Sequence, residues 1–345
     1  MKRVGYIFEK IIDKENIKRV IWLASNKKRR LSHVKRILNN QDYYVNKIYD
    51  ILVNEKFVPG PYKSDTIIDG SSRKIRQIYK PKFFPDQIIH WCIMQQIEPI
   101  FRRGMYDHNF ASVKYRGIHK AKNYIQRVLT NADVQYCLKL DIKKFYPSTN
   151  KDILKAKFRK ILKDDKVLKL LDDIVDSHDF GIPIGNYTSQ WFGNFYLQDL
   201  DHFIKEKLHI KYYARYMDDL VLLANNKKDL HKALIEIQNF LKLEDLQLKQ
   251  NWQLFRLNSR PLDFIGFKFI NGKIYLRKTM YKKIRRKILK IKRQKYISVK
   301  DARTMMSYYG WRKGTNCKNL FTKDTNNLFK IYRIVISKNK IIKEV

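Results

Sequence analysis

The stretch Tyr212-Tyr213-Ala214-Arg215-Tyr216-Met217-Asp218-Asp219-Leu220-Val221-Leu222-Leu223-Ala224 decides how the rest of the chain is read. Its apolar arms, Tyr212 to Met217 and Leu220 to Ala224, predict strand, tight turn, strand, with two carboxylates held at the turn against a buried sheet. Turn chemistry alone accounts for one Asp there, but two adjacent acids repel and need a cation. The same dipeptide occurs as Asp164-Asp165 and Asp172-Asp173, in polar, lysine-rich or helical surroundings that suit a solvated helix face.

A third acid, Asp141, ends the predicted strand Tyr136-Cys137-Leu138-Lys139-Leu140 and precedes the helix-like Ile142 to Tyr146. An antiparallel neighbour of the hairpin brings it within reach of Asp218. Magnesium suits such a site, because it wants hard oxygen ligands near 2.1 Å and takes one or two protein carboxylates plus substrate phosphates. Two such ions about 4 Å apart activate a primer 3′ oxygen and stabilise a pyrophosphate leaving group, so the implied chemistry is nucleotidyl transfer. Mn2+ is the alternative ion.

The wider composition fits a polyanion substrate. Lys and Arg number 73 against 33 Asp and Glu, a formal charge of +40 over 345 residues. The bias of AT-rich genomes toward Lys, Ile and Asn explains the lysine count but not the deficit of acids, so the field reads as one for nucleic acid. The opening MKRVGYIFEKIIDKENI has no uninterrupted apolar core, and no segment approaches the roughly 18 apolar residues of a membrane span. Cys92, Cys137 and Cys317 lack CxxC partners, which predicts neither disulfides nor a zinc site and suits a reducing cytoplasm.

No repeat or low-complexity linker divides the chain. Residues 1 to about 60 show helical spacing in Ile7, Ile11, Ile12 and in Val45, Ile48, Tyr49, Leu52. From Thr66 to Lys80, β-branched and basic residues alternate around Asp69-Gly70-Ser71-Ser72, a predicted hairpin. Pro85 to Phe101 returns to helical periodicity, and a helix is expected near Lys151 to Leu162 and another after Thr188. Beyond Leu276 the only acids are Asp301, Asp324 and Glu344, and Met280, Ile284, Ile288 and Ile291 form an apolar stripe among cations, an amphipathic basic helix.

These residues carry a resemblance. Tyr216-Met217-Asp218-Asp219 resembles the YxDD box of reverse transcriptases, and Leu140-Asp141-Ile142-Lys143-Lys144-Phe145-Tyr146 resembles their motif A. Gly181-Ile182-Pro183-Ile184-Gly185-Asn186-Tyr187-Thr188-Ser189-Gln190-Trp191-Phe192 resembles motif B. It departs from the common pattern, with Ile184 where Gln is usual and Gln190 where Pro is usual. That form is similar to bacterial or phage diversity-generating retroelement enzymes, which are group II intron-like and copy an RNA template repeat with errors opposite adenine. The resemblance implies an α+β right-hand polymerase: fingers with an N-terminal extension over 1–135, an antiparallel palm carrying the YxDD hairpin over 136–275, and a helical thumb over 276–345.

It also implies site roles. Asp141, Asp218, Asp219 and the backbone of Ile142 would hold the metals. Lys80, Lys114, Arg116, Tyr146, Gly185, Gln190 and Lys249 would meet the incoming deoxynucleotide. In that set Lys114 and Arg116 alternate on an expected strand of Phe110 to Gly117, Tyr146 excludes a 2′-hydroxyl, and Lys249 is the motif D lysine that protonates pyrophosphate. An ion pair within the protein is the other reading of Lys80, Lys114 and Arg116. Tyr216, Met217, the motif E residues Phe264 and Gly266, and Arg277, Lys278, Arg285, Arg286 and Lys290 would grip primer and template; plain core is the other reading of Phe264 and Phe267.

The implied partners are an RNA template, above all a cognate non-coding RNA, the cDNA product and a small accessory protein, with no membrane and an open oligomeric state. An antiphage defence enzyme copying its own non-coding RNA is the rival within the family. A silent RNA-binding scaffold would be marked by a broken acid triad, and an RNA polymerase or primase by a polar residue at Tyr146. No RNase H or integrase domain is expected in so acid-poor a tail.

Overall fold

The computed structural model describes residues 2–68, 75–294 and 298–317, together with Arg333 and Ser337. The expected turn Asp69 to Ser72 therefore lies outside the described residues, as do Asp324 and Glu344. The chain opens on α1 (Phe8–Ile12), α2 (Lys14–Ala24), α3 (Ser32–Asn39) and α4 (Gln41–Val53), followed by the antiparallel pair β1 (Lys63–Ile68) and β2 (Ile75–Lys80). A tight π-turn over Phe83–Gln87 leads into α5 (Ile88–Arg103), which buries His90, Cys92 and Met94 among its apolar residues. Asp13 caps α2 by accepting from the Glu15 and Asn16 amides, satisfying donors that a helix start leaves orphaned.

After α6 (Ile118–Leu129) come β3 (Tyr136–Asp141), α7 (Phe145–Ser148), α8 (Lys151–Ile161), α9 (Asp165–Asp176), α10 (Tyr187–Tyr196) and α11 (Gln198–His202). β4 (Tyr212–Tyr216), β5 (Asp219–Ala224), α12 (Lys227–Leu243) and β6 (Gln253–Arg256) complete a four-stranded antiparallel sheet in the order β4-β5-β3-β6. A smaller antiparallel sheet of β7 (Leu262–Phe264), β8 (Phe267–Ile270) and β9 (Lys273–Leu276) precedes α13 (Lys278–Lys292) and α14 (Val299–Arg312).

The period of two along a strand sorts the four-stranded sheet into two cores. Leu138, Leu140, Tyr213, Leu220 and Leu222 face the larger core, made with the N-terminal helices, α5 and α8 to α12. Cys137, Ala214, Val221, Leu223 and Phe255 face a second core shared with α6, the small sheet and α13. Ile284, Ile288 and Ile291 are buried there and Met280 packs against it, so the apolar stripe of α13 docks as the sequence pattern requires. With fingers-like helices and hairpin, a central sheet carrying the acid turn and a basic helical end, the molecule has the right-hand polymerase architecture. No helix among the described residues is long and apolar enough to cross a membrane.

Candidate active site

β4 and β5 are joined by a two-residue turn, Met217-Asp218, with Tyr216 opposite Asp219. β3 pairs with β5 so that Asp141 lies directly opposite Asp219, and the Ile142 amide donates to the Asp218 carbonyl over 3.1 Å. Three acids far apart in sequence thus meet at one end of the sheet because two strands end there in register. Asp141 and Asp219 share a strand face with Cys137, Val221 and Leu223; lower down that face is buried, and at the acids it opens into a cleft of about 660 Å³.

Burial, partly offset by Lys139 and reinforced by Asp141 and Asp218, pushes the Asp219 carboxyl up to about 6. Burial, with Asp141 beside it, also raises Asp218, while Lys249 and Arg76 oppose the rise. Lys249 Nζ contacts the Asp141 carboxylate directly, and its amide donates to the Asp141 carbonyl over 2.8 Å. The sequence-predicted Tyr146, Gly185, Gln190, Tyr216, Met217, Gly266 and Arg277 line the same cleft. The Ile142 side chain is fully buried, which leaves only its backbone to serve a metal.

Met217 adopts φ +55°, at the position that glycine usually takes in a two-residue hairpin of the II′ kind. Such a backbone is strained and persists only where its surroundings fix it. Arg215 supplies that restraint from the opposite face of β4: it is fully buried and its Nη1 donates to the Met217 carbonyl over 3.2 Å. Its Nε and Nη2 donate to the two oxygens of buried Asp201 over 2.7 and 2.6 Å, and Asn194 accepts from the same guanidinium. The Tyr213 hydroxyl donates to Asp201 as well, over 2.7 Å. In the sequence the signal for Arg215 is a lone charge in an apolar strand, since a cation in a buried strand demands a buried partner.

The motif B turn reaches the cleft by close backbone approach. Gly181, at φ +55°, would place a Cβ 2.2 Å from the Tyr146 carbonyl, and Gly185, at φ +123°, would place one 2.6 Å from the Tyr79 carbonyl. The Tyr79 amide donates to the Ile184 carbonyl over 2.7 Å, so β2 is tied to this turn. Tyr146 is held between the two motifs, with its hydroxyl 3.8 Å from Met217 Sδ.

Four expectations change. Phe110 to Gly117 is not a strand: its backbone turns, with Ser112 and Tyr115 at positive φ, so Lys114 and Arg116 do not alternate toward a ligand. Arg116 instead donates to the Tyr106 and Asn109 carbonyls and to Asp107, bracing its own loop, and Lys114 lies over the Tyr115 ring; neither lines the cleft. Lys80 pairs with Asp65 across the β1–β2 hairpin and also lies outside the lining. Phe264 is wholly buried, so it belongs to the second core and cannot touch nucleic acid. The cation that β2 does bring into the cleft is Arg76, which reading for lysines missed.

Arg277 donates through Nε and Nη2 to Asp263, which orients it at the cleft edge, and Lys278 begins α13. Arg285, Arg286 and Lys290 are exposed on α13, and Lys287 is drawn to Asp301. As for a metal, Asp218 and Asp219, raised by burial and by the acids beside them, belong to a donor set short of positive charge, and its oxygens are the hard ligands that Mg2+ takes. Among the described residues no cage of three or more His, Cys, Asp or Glu closes around one point. Mg2+ needs none, because substrate oxygens and water complete its octahedron.

With this geometry in view, the reverse transcriptase (RNA-dependent DNA polymerase) family model matches residues 69–269, more than half of the chain. The Retron Ec73 reverse transcriptase of Escherichia coli is 27% identical over 175 residues, which cover 47% of this chain and 53% of that one. The chain thus spans about half the length of that curated relative. Among solved structures, the apo telomerase of Candida tropicalis truncated from its C-terminal domain aligns at 14% identity and TM-score 0.47, over 68% of this chain and 60% of that one. The telomerase of Candida albicans with a fragment of telomeric RNA aligns at 13% identity and TM-score 0.47, over 70% and 55%.

Proposed function

This chain belongs to the reverse transcriptase family, and we propose that it is an RNA-directed DNA polymerase whose nucleotidyl transfer is centred on Asp141, Asp218 and Asp219. One observation carries the reading: Asp141 stands opposite Asp219, beside the Asp218 turn, at the floor of a cleft that a basic chain of +40 surrounds. These acids and the Ile142 backbone would hold Mg2+, which would supply charge neutralisation and an acidified primer hydroxyl. Lys249, fixed against Asp141, delivers a proton to the leaving pyrophosphate, and Arg76 takes the place assigned to Lys80 and Arg116 against the triphosphate. Tyr146 fills the space beneath the sugar, Gly185 and Gln190 border the nascent pair, and Tyr216, Met217, Gly266 and Arg277 hold the primer end.

In this reading residues 1–135 are the fingers with their extension, 136–275 the palm and 276–345 the thumb, and Lys278, Arg285, Arg286 and Lys290 follow the duplex backbone. The template is a cognate non-coding RNA. The Ile184-Gly185 to Ser189-Gln190 form favours a diversity-generating retroelement, in which a small accessory protein joins the complex. The likeness to a retron enzyme favours the second reading, a defence system that copies its own RNA. Sequencing the RNA that copurifies with the protein separates them: a template repeat supports the first, a structured transcript the second.

The chemical assignment is tested by Asp141→Asn and Asp218→Asn. Each is expected to lose primer extension while its RNA gel shift stays near wild type, because the acids act on the reaction and the basic surface on affinity. Undiminished extension by either variant would overturn the site.

A further inference from the structure

Outside the cleft, a cluster of unpaired cations lies where α2 meets α3. Residues 16–41 contain eight Lys and Arg and no acid. Lys27, Arg29, Arg30, Lys35 and Arg36 are exposed, and none of them has an ion-pair partner among the described residues. Trp22 sits among them, 52% exposed, and the Arg29 guanidinium carbon lies 3.4 Å from the centre of its ring. That distance is flat stacking.

The stack is built rather than incidental. Arg29 Nε donates to Ser25 Oγ over 3.1 Å, and Ser25 Oγ itself donates to the Trp22 carbonyl over 2.7 Å. The loop between the helices is wound tightly, with Lys28 N to Ser25 O at 2.8 Å and Leu31 N to Lys28 O at 2.9 Å. Lys28 fastens it to the root of the β1–β2 hairpin, its Nζ on Gln87 and 5.6 Å from the centre of the Phe83 ring. None of these residues lines the catalytic cleft.

A planar guanidinium held face-on over an exposed indole offers its outer face to another planar group, and an unpaired base is the planar group that brings phosphates with it. A lipid surface fits less well. Membrane anchoring needs a free indole and a continuous apolar face, whereas here Arg29 covers Trp22 and, among the described residues of this segment, Leu23 and Leu31 are the other exposed large apolar side chains.

We propose that the α2–α3 corner is a second nucleic-acid site, distinct from the primer–template cleft, which holds an unpaired segment of RNA by stacking a base on the Arg29–Trp22 pair and its phosphates on Lys27, Arg30, Lys35 and Arg36. The choice of RNA rests on the polymerase reading above, since RNA is the strand present before any DNA is made. Exposed Asn26 and His33 add hydrogen-bonding groups of the kind that meet a 2′-hydroxyl. Such a site keeps the transcript attached while its copied part moves through the cleft.

The test uses the full-length protein with its cleft filled by a short primer–template. Binding of oligouridine of about 15 nucleotides, the upper size of a single-strand groove, is measured against salt for wild type, Trp22→Ala and Lys27→Ser/Arg29→Ser/Arg30→Ser. Trp22→Ala should weaken binding about tenfold. The triple variant should reduce the salt slope by about two, as expected for three contacts to a single strand. A 4-thiouridine oligomer should crosslink to the 22–36 segment, and extension of the short primer–template should be unchanged in every variant. Lys27→Ser/Arg30→Ser, which leaves the stack intact, serves if the larger variants fold poorly, with a slope change of about 1.4. Unchanged affinity and slope, crosslinks confined elsewhere, or equal or tighter binding of oligodeoxythymidine would overturn the proposal. So would variants that lose binding to vesicles containing phosphatidylserine but not to oligouridine. A wild type that binds and crosslinks yet extends no primer would count against the polymerase reading alone.

Discussion

Arg215 beneath the acid-bearing turn and Arg285 and Arg286 on α13 are the same side chain in opposite surroundings. Arg215 is fully buried, with both carboxylate oxygens of Asp201, the Met217 carbonyl and Asn194 around it. Arg285 and Arg286 are exposed, and neither has an ion-pair partner among the described residues. A cation that finds its acid inside the fold fixes a geometry; one that finds none keeps its charge for a ligand. The contrast divides the +40 charge of this chain into a few cations that shape the site and many that can hold a polyanion.

The largest expected effect lies on the buried side. Arg215→Met leaves Asp201 buried without its partner, which should cost about 3–5 kcal/mol and appear as a large fall in the chemical-denaturation midpoint. Adding Asp201→Leu removes the stranded charge and should restore most of that stability. Activity should not return with it, because the strained Met217 turn still lacks its donor. Full recovery of kcat in the refolded double variant would reduce Arg215 to packing and break the comparison.

His90 sharpens it, being as buried as Arg215 but with neither ring nitrogen partnered among the described residues. Burial alone lowers its pKa to about 4, from an ordinary 6.5, so the folded protein keeps it neutral. Between those values the unfolded chain binds the proton and the folded one does not, so stability is full above pH 6.5 and falls as pH drops toward 4. The loss is about 3 kcal/mol when complete. Raised carboxyls such as Asp219 titrate in the same range with the opposite sign, so the quantity to measure is the difference in unfolding free energy between wild type and His90→Leu from pH 7 to pH 4. A flat difference would mean that His90 takes up its proton in the fold.

On the exposed side the effect moves from stability to salt. Neutralising Arg285, Arg286 and Lys290 together should leave the melting temperature nearly unchanged, as surface charges contribute little. It should lower the salt slope of primer–template binding by up to about three. Identical slopes would place the duplex elsewhere.

How much of this was legible follows the same division. The hairpin and β3 could be read because apolar alternation, a turn and two adjacent acids are local signals, and the stripe of α13 because a helix repeats every 3.6 residues. Phe264 could not be sorted between core and ligand, since an aromatic residue near a turn looks the same in either place. Lys114 and Arg116 alternate in the sequence, but the positive φ of Ser112 and Tyr115 turns that segment away from any strand. Arg215 and Asp201 meet only through the packing of α11 on the underside of β4, a tertiary event with no local mark.

The smallest expected effect is at the hairpin edge, where Lys80 and Arg76 lie on one face of β2 and, of the two, Arg76 lines the cleft. Lys80 meets Asp65 at 2.5 Å, with about half of its side chain in water. Such a pair contributes between about 0 and 1 kcal/mol, so Lys80→Ala should barely shift the melting temperature. If the ion pair occupies Lys80 and Arg76 meets the triphosphate, Lys80→Ala also leaves the KM for deoxynucleotide within about twofold, whereas Arg76→Ala raises it by about tenfold, the loss of one charge-assisted contact of roughly 1.5 kcal/mol. Side-by-side KM measurements on the two variants decide the matter. A rise confined to Lys80→Ala would restore the lysine to the nucleotide and show that its contact with Asp65 gives way when substrate arrives.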